Sequence, residues 1–146
     1  MFVRVDVGLI SDGELAFLRF RGAQSVRGTL EALAMMRALP GYCPGLPELV
    51  DLSGITETNL DFHGMRRISH EAGSRGISAT RIKMIAVYAP QDTLYGMARM
   101  FATLTDLHQG NVRAAAFRSE IDSLAWLGRS ETRFIDIPGH AVVGQD

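Results

Sequence analysis

The sequence predicts a single α/β domain: a mixed, mainly parallel sheet with an N-terminal β-hairpin and with helices packed on its faces. Two observations predict this class. From residue 25 onward, short apolar runs alternate with amphipathic segments of helical period. One of those runs, residues 82–88, is apolar on both faces, which is typical of an interior parallel strand covered on each side. Strands that return through a helix lie parallel, so the later strands extend one sheet.

The N-terminal segment predicts the hairpin. Residues 3–7 alternate apolar and polar side chains, and residues 11–13 supply the turn. The second strand is expected over residues 15–20, with Gly22 at its end. A first helix then begins at Ser25, because apolar residues recur at helical spacing from there until a Pro-Gly pair stops the helix.

Three further strands and three further helices follow. Residues 49–52 predict a short strand that ends at Ser53-Gly54, and Asp61 caps a second helix that Gly73 terminates. After the strand at 82–88, a third helix begins at Asp92 or Thr93 and ends at Gly110-Asn111. The last pair is a strand over residues 112–117 and a short helix, in which Ser119 and Asp122 have the capping-box spacing.

The chain of 146 residues is expected to form one domain, 1–146. Its core covers about residues 2–128, and residues 129–146 form a C-terminal tail. Within that tail, residues 134–137 either add an edge strand or pack over a crevice.

Composition excludes several classes of function. A formal net charge of -1 lacks the basic excess that nucleic-acid binding needs. No apolar run approaches the roughly 20 residues that span a bilayer, and no signal peptide is visible, so the expected location is the cytoplasm. The single cysteine excludes an intramolecular disulfide and fits a reducing compartment.

The best candidate for a ligand site lies where residues 82–88 meet the third helix. Tyr88, Asp92 and Tyr95 cluster there in sequence, and open α/β sheets bind ligands at the carboxyl ends of their strands. The dipole of the helix favours an anion at its N-terminus, although an acidic cap competes with one. We expect neither a cofactor nor a catalytic residue. A metal site is not expected either, because His63 and His70 lie two helical turns apart, too far to share one ion.

Three stretches resemble the bacterial SpoIIAA-like family, whose uncharacterised members are related in shape to the STAS domain and to the Sec14-like lipid-binding fold. They are residues 49–54, residues 81–87 and residues 112–117, the last with its Ala-Trp-Leu ending at 125–127. The resemblance covers about residues 15–127 and implies the same fold. In STAS proteins that antagonise anti-sigma factors, the turn into the helix after the third strand reads Asp-Ser-Ser-Gly and carries a phosphorylated serine.

The corresponding turn of this chain is Asp61, Phe62, His63 and Gly64, so the acid and the glycine are present but both hydroxyls are absent. Regulation by serine phosphorylation at this turn is therefore not expected. Our leading hypothesis is a non-catalytic regulatory domain that binds another protein, either an unknown partner or a second copy of this chain. It would bind through a helix face and the crevice at the strand ends.

Two alternatives remain open. The first is a protein that binds a small apolar or amphipathic, lipid-like molecule. The Sec14-like resemblance favours it, and so do methionines in the first and third helices, which adapt to varied apolar shapes. The second is an enzyme that uses Tyr88, Asp92 or His63.

Overall fold

The computed structural model describes residues 3–75, 82–107 and 111–140. Within these ranges no helix is both long and apolar enough to cross a membrane. The elements follow one another as β1 (Val3–Ile10), β2 (Leu15–Gln24), α1 (Val26–Arg37), β3 (Glu48–Thr58), α2 (Phe62–Arg75), β4 (Lys83–Tyr88), α3 (Asp92–Leu107), β5 (Val112–Phe117), α4 (Glu120–Trp126) and a 3-10 helix, Phe134–Asp136.

The described strands form one sheet in the order β1-β2-β3-β4-β5. β1 and β2 pair antiparallel as the hairpin, and every other neighbouring pair is parallel. Each helical crossover adds the next strand on the same side of the previous one. Crossovers that all have the same handedness then place α1, α2 and α3 on the same face of the sheet. The predicted α/β class with a mixed, mainly parallel sheet is therefore confirmed, including the interior position of β4.

Alternating side chains divide the buried residues into two clusters, one on each face of the sheet. The first core lies between the sheet and α1, α2 and α3, and its buried members include Leu18, Phe20, Leu33, Leu52, Ile68, Ile85 and Ala98. The second core lies on the opposite face and is made by Ile10, Leu15, Phe17, Leu49, Ala86, Leu124, Phe134 and Ile137. α4 and the 3-10 helix thus cover the face that α1–α3 leave open.

Three glycines that the sequence predicts as ends of elements lie inside them instead. Gly22 has φ +84° within β2, where the register against β3 shifts, and β2 continues to Gln24. Gly54 lies inside β3, where an added Cβ would come 2.9 Å from the carbonyl oxygen of Phe20. Gly73 is buried within α2. The predicted ends of β2, β3 and α2 are therefore wrong, and Gly22 and Gly54 permit a bulge and a close approach of two strands rather than ending them.

The predicted helix starts agree with the structure. The Ser25 hydroxyl accepts a hydrogen bond from the Gly28 amide at 3.0 Å, and the Ser119 hydroxyl accepts one from the Asp122 amide at 3.2 Å. The edge strand suggested for residues 134–137 is not formed. Phe134 and Ile137 are 4% and 2% exposed in the second core, so apolar burial rather than strand pairing fixes this segment. The predicted end of the third helix lies partly outside the described residues.

Candidate functional site

Asp92 and Tyr95 are brought together by an arginine that follows β5. The Arg118 guanidinium donates a hydrogen bond to Asp92 Oδ1 at 2.6 Å, and its carbon lies 4.2 Å from the centre of the Tyr95 ring. Asp92 is almost fully exposed, whereas Tyr95 packs partly against the first core. The carboxylate at the N-terminus of α3 is thus already paired with a cation.

Tyr88 does not join this group. Its side chain packs on the second core, with its ring centre 5.1 Å from that of Phe134. Burial raises the pKa of the Tyr88 hydroxyl, and the carboxylates of Glu120 and Asp51 add to this effect. The order of the strands that the structure describes contains no reversal, so these strands do not form the switch point at which ligand crevices occur in open α/β sheets. A ligand at Tyr88, Asp92 and Tyr95 stays a prediction.

The turn that resembles the STAS phosphorylation site has a clear structural role. Asp61 Oδ1 accepts a hydrogen bond from the Gly64 amide at 2.8 Å, which caps α2. Gly64 is buried, and an added Cβ would overlap Cγ2 of Val26 at the start of α1. Helix capping and the close approach of two helices thus account for the acid and the glycine in this turn.

His63 belongs to an exposed, basic face of α2. Together with Arg66, Arg67 and His70 it lines an open groove on the surface. The guanidinium of Arg66 lies 5.9 Å from the ring centre of the exposed Phe62. In the described ranges, no three His, Cys, Asp or Glu side chains are grouped so that they could hold a metal ion.

A cavity of about 70 Å³ lies within the first core, between the sheet and helices α1, α2 and α3. Most of its wall is aliphatic or aromatic: Leu18, Phe20, Leu33, Val50, Leu52, Leu60, Met65, Ile68, Ala72, Ile85, Val87, Met97, Ala98 and Phe101. Interiors of proteins are normally close-packed, so apolar space of this kind beside the core is unusual. A ligand that filled it would bury apolar side-chain surface of the wall.

Three polar side chains also line the cavity. Gln24 comes from the end of β2, Thr29 from the first turns of α1, and Glu48 from the start of β3. All three are buried, at 6%, 7% and 1% exposure. The cavity therefore has an apolar body and a few fixed polar positions, which is the usual composition of a small-molecule site.

Glu48 is held by a buried cation. Its carboxylate forms an ion pair with the ammonium group of Lys83, and Lys83 Nζ donates a hydrogen bond to the Tyr42 hydroxyl at 3.1 Å. Burial acts to lower the pKa of Lys83, but the Glu48 carboxylate and the Tyr42 hydroxyl outweigh it and raise the pKa above its ordinary value. Burial raises the pKa of the Glu48 carboxyl, and the Lys83 ammonium acts against that rise, so each charge of the pair is held by the other.

Gln24, Glu48 and Lys83 are absent from the site residues that the sequence predicts. The sequence nevertheless contained an indication of them. Each occupies an inward-facing position of its strand, in the same alternating series as apolar residues. Leu18 and Phe20 precede Gln24 on the same face of β2, and Ile85 follows Lys83 in the same way on β4. A polar residue at a strand position where the alternation predicts an apolar one is the pattern that could have identified them.

No protein-family model and no curated protein matches the chain. Its structure is similar to the crystal structure of an uncharacterized protein of the DUF3478 family, with a SpoIIAA-like fold, from Shewanella loihica PV-4. The TM-score is 0.51 and the identity is 14%, over 86% of this chain and 93% of that chain. The chain is therefore an α/β domain of SpoIIAA-like fold, as the resemblance predicts. At this identity the similarity concerns the fold alone.

Proposed function

We propose that this domain binds a small apolar molecule in the cavity of the first core and catalyses no reaction on it. The observation that carries the proposal is the cavity itself, about 70 Å³ of space lined mainly by apolar side chains from three strands and three helices. Of the functions that the sequence leaves open, apolar ligand binding is the one this cavity supports.

Two of the lining residues allow the cavity to adapt. Met65 and Met97 project from α2 and α3, and unbranched thioether side chains change rotamer more readily than branched ones. An engineered cavity of about 150 Å³ binds benzene, so a ligand of that size requires these side chains to move aside. A change in the side-chain conformation of Met65 and Met97 would therefore indicate binding directly.

Methyl NMR of the protein labelled in its methionine methyl groups tests the proposal, with benzene as the probe. The Met65 and Met97 signals should shift and saturate as benzene is added. Met35 and Met100, which are 52% and 40% exposed, serve as internal references and should not saturate. Absence of a saturable shift at both cavity methionines would refute the proposal.

A matched pair of variants locates the binding. Ala98→Leu places extra volume in the cavity wall and should abolish the shifts, because Ala98 is 2% exposed and lines the void. Ala125→Leu makes the same change on the exposed surface of α4, on the other face of the sheet, and should leave the shifts unchanged. Equal binding by the two variants would place benzene elsewhere.

Binding of another protein remains a second proposal. Exposed apolar side chains favour it: Met35 and Phe62 are each 52% exposed on α1 and α2, and Ile121 is 49% exposed on α4. Sedimentation equilibrium tests self-association, which Phe62→Ser should weaken if α2 forms the contact. A monomer at all concentrations would exclude the homodimer.

A further inference from the structure

We propose that the cavity selects an apolar molecule that carries one neutral hydrogen-bond donor, such as a hydroxyl group, and that the side-chain oxygen of Gln24 accepts this hydrogen bond. The inference rests on the proposed function, because it concerns the same cavity. It adds the chemical class of the ligand and the residue that recognises it.

The side chain of Gln24 carries a hydrogen-bond acceptor that no described residue uses. Gln24 is the last residue of β2, it is only 6% exposed, and it lines the cavity together with Leu18 and Phe20 of the same strand. Its Oε1 atom is buried and has no hydrogen-bond partner among the residues that the structure describes. A buried carbonyl oxygen without a partner is unfavourable, and a donor supplied by a ligand removes the penalty.

The other two polar side chains of the wall already have partners. The Thr29 hydroxyl donates to the backbone oxygen of Ser25 at 2.7 Å, which fixes its proton within the first turn of α1. The Glu48 carboxylate is paired with Lys83. Gln24 Oε1 is therefore the neutral acceptor of the described wall that would gain its first partner from a ligand donor.

A water molecule is a poor occupant of this position. Buried waters make about three hydrogen bonds, and they need two to four polar partners. The wall of the cavity is supplied largely by carbon, from residues such as Phe20, Leu33 and Leu60. A molecule with one donor and an apolar body satisfies the oxygen and also fills the rest of the void.

Charge also argues for a neutral ligand. Within the described part of the chain, the cavity wall contains no arginine or lysine, and the ammonium of Lys83 is held by Glu48. A carboxylate or phosphate bound at Gln24 would find no cation in the described wall, and burial of an unpaired charge is strongly unfavourable. Small neutral alcohols suit the chemistry of the wall, whereas ionised carboxylic acids do not.

Two isomeric probes separate the hydrogen bond from apolar burial. 1-Hexanol and butyl ethyl ether have the same atomic composition, but only the alcohol donates a hydrogen bond. Titrations followed by the Met65 and Met97 methyl signals should show that the wild-type protein binds the alcohol about fivefold more tightly than the ether. Hexanoate at neutral pH should bind at least tenfold more weakly than the alcohol, as a rough expectation from the cost of burying its charge.

Variants at position 24 test the residue. Gln24→Met keeps the shape of the side chain and removes the amide, so it should lose the preference for the alcohol and retain its affinity for the ether. Gln24→Leu should behave in the same way, and it provides a second variant if the first is poorly folded. Gln91→Met makes the same change at an exposed glutamine and should keep the preference for the alcohol.

The outcomes distinguish this inference from the proposed function. Equal affinity of the wild-type protein for the two isomers, or tighter binding of hexanoate, would overturn the hydrogen bond to Gln24 and leave apolar binding intact. A preference for the alcohol that survived in both Gln24 variants would also overturn it. If neither isomer bound the wild-type protein, both the inference and the proposed function would fall.

Discussion

The carboxylate of Glu48 and the ammonium group of Lys83 form an ion pair inside the first core, where both side chains are almost fully buried. They stand at the starts of two neighbouring parallel strands, β3 and β4, on the face that packs against α1–α3. Removing charges from water is costly, and their mutual attraction repays the cost only if both partners remain. The pair therefore makes each residue depend on the other.

We predict that Lys83→Met lowers the free energy of unfolding by about 3 to 5 kcal/mol, because it leaves the Glu48 carboxylate buried without a counter-ion. The double variant Glu48→Leu with Lys83→Met should recover most of that loss, since replacement of both charges by apolar groups is often neutral or stabilising. Urea denaturation measures all three proteins.

The exposed pair of Arg27 and Glu31 supplies the control for this experiment. Their atoms lie 3.1 Å apart, but the two side chains are 90% and 63% exposed. Arg27→Met should change the free energy of unfolding very little, because water and salt screen such pairs. A double variant of the buried pair that was as unstable as Lys83→Met alone would contradict the proposed dependence.

The same pair predicts a loss of stability at alkaline pH. The pKa of Lys83 is raised in the folded protein, so the folded state binds its proton more tightly than the unfolded state does. The resulting stabilisation is complete below the ordinary value of 10.5 and is lost as the pH rises through the folded pKa. Denaturation at a series of pH values above 9.5 should show a decline that is smaller in the double variant.

Tyr88 contributes to the same alkaline region and needs its own control. Its pKa is also raised, from an ordinary value of 10.0, so its ionisation likewise favours the unfolded state as the pH rises. A comparison in the Tyr88→Phe background isolates Lys83. An identical alkaline decline in that background, with and without the Glu48 and Lys83 substitutions, would refute the contribution of the pair.

Local rules predicted much of the fold, because the decisive residues act within one turn or one strand. Ser25, Asp61 and Ser119 each cap the helix that follows, as their spacing indicates. The glycines failed as end signals for a physical reason. Gly22 and Gly54 lie where β2 and β3 approach or shift register, and such contacts arise only when distant segments meet.

The candidate site was less accessible from the sequence. Tyr88 and Tyr95 are seven residues apart, yet they lie on opposite faces of the sheet, because one belongs to a strand and the other to the helix that leaves it. Leu18 and Val50 line one cavity, although 32 positions separate them, because they lie opposite each other in the register of β2 and β3. Neighbours in a sheet are set by topology, and no local spacing encodes them.

Gly64 permits the close approach of α1 and α2, and we predict that Gly64→Ala lowers the free energy of unfolding by about 1 to 3 kcal/mol. The added Cβ would overlap Cγ2 of Val26. Thermal and urea denaturation should show that the cost falls sharply in a Val26→Ala background, which removes the overlapping methyl group.

Gly96 is the matched control, because it lies exposed within α3 and an added Cβ would meet no described atom within 4 Å. Gly96→Ala should raise the free energy of unfolding by about 0.5 to 1 kcal/mol through helix propensity alone. A stabilising effect of Gly64→Ala equal to that of Gly96→Ala would show that the two helices are not in tight contact at this point.

Gln24→Met should stabilise the protein that carries no ligand, by about 1 kcal/mol, because it removes a buried oxygen that lacks a partner in the described structure and leaves apolar atoms in its place. The exposed Gln91→Met should stay within about 0.5 kcal/mol of the wild type. Chemical denaturation in the absence of any alcohol measures both.

If Gln24 served packing alone, its substitution would destabilise the protein. If it serves recognition of a ligand, its substitution stabilises the protein and removes the preference among ligands. Destabilisation by Gln24→Met would therefore show that the amide supports the fold and would remove the reason for assigning it to a ligand.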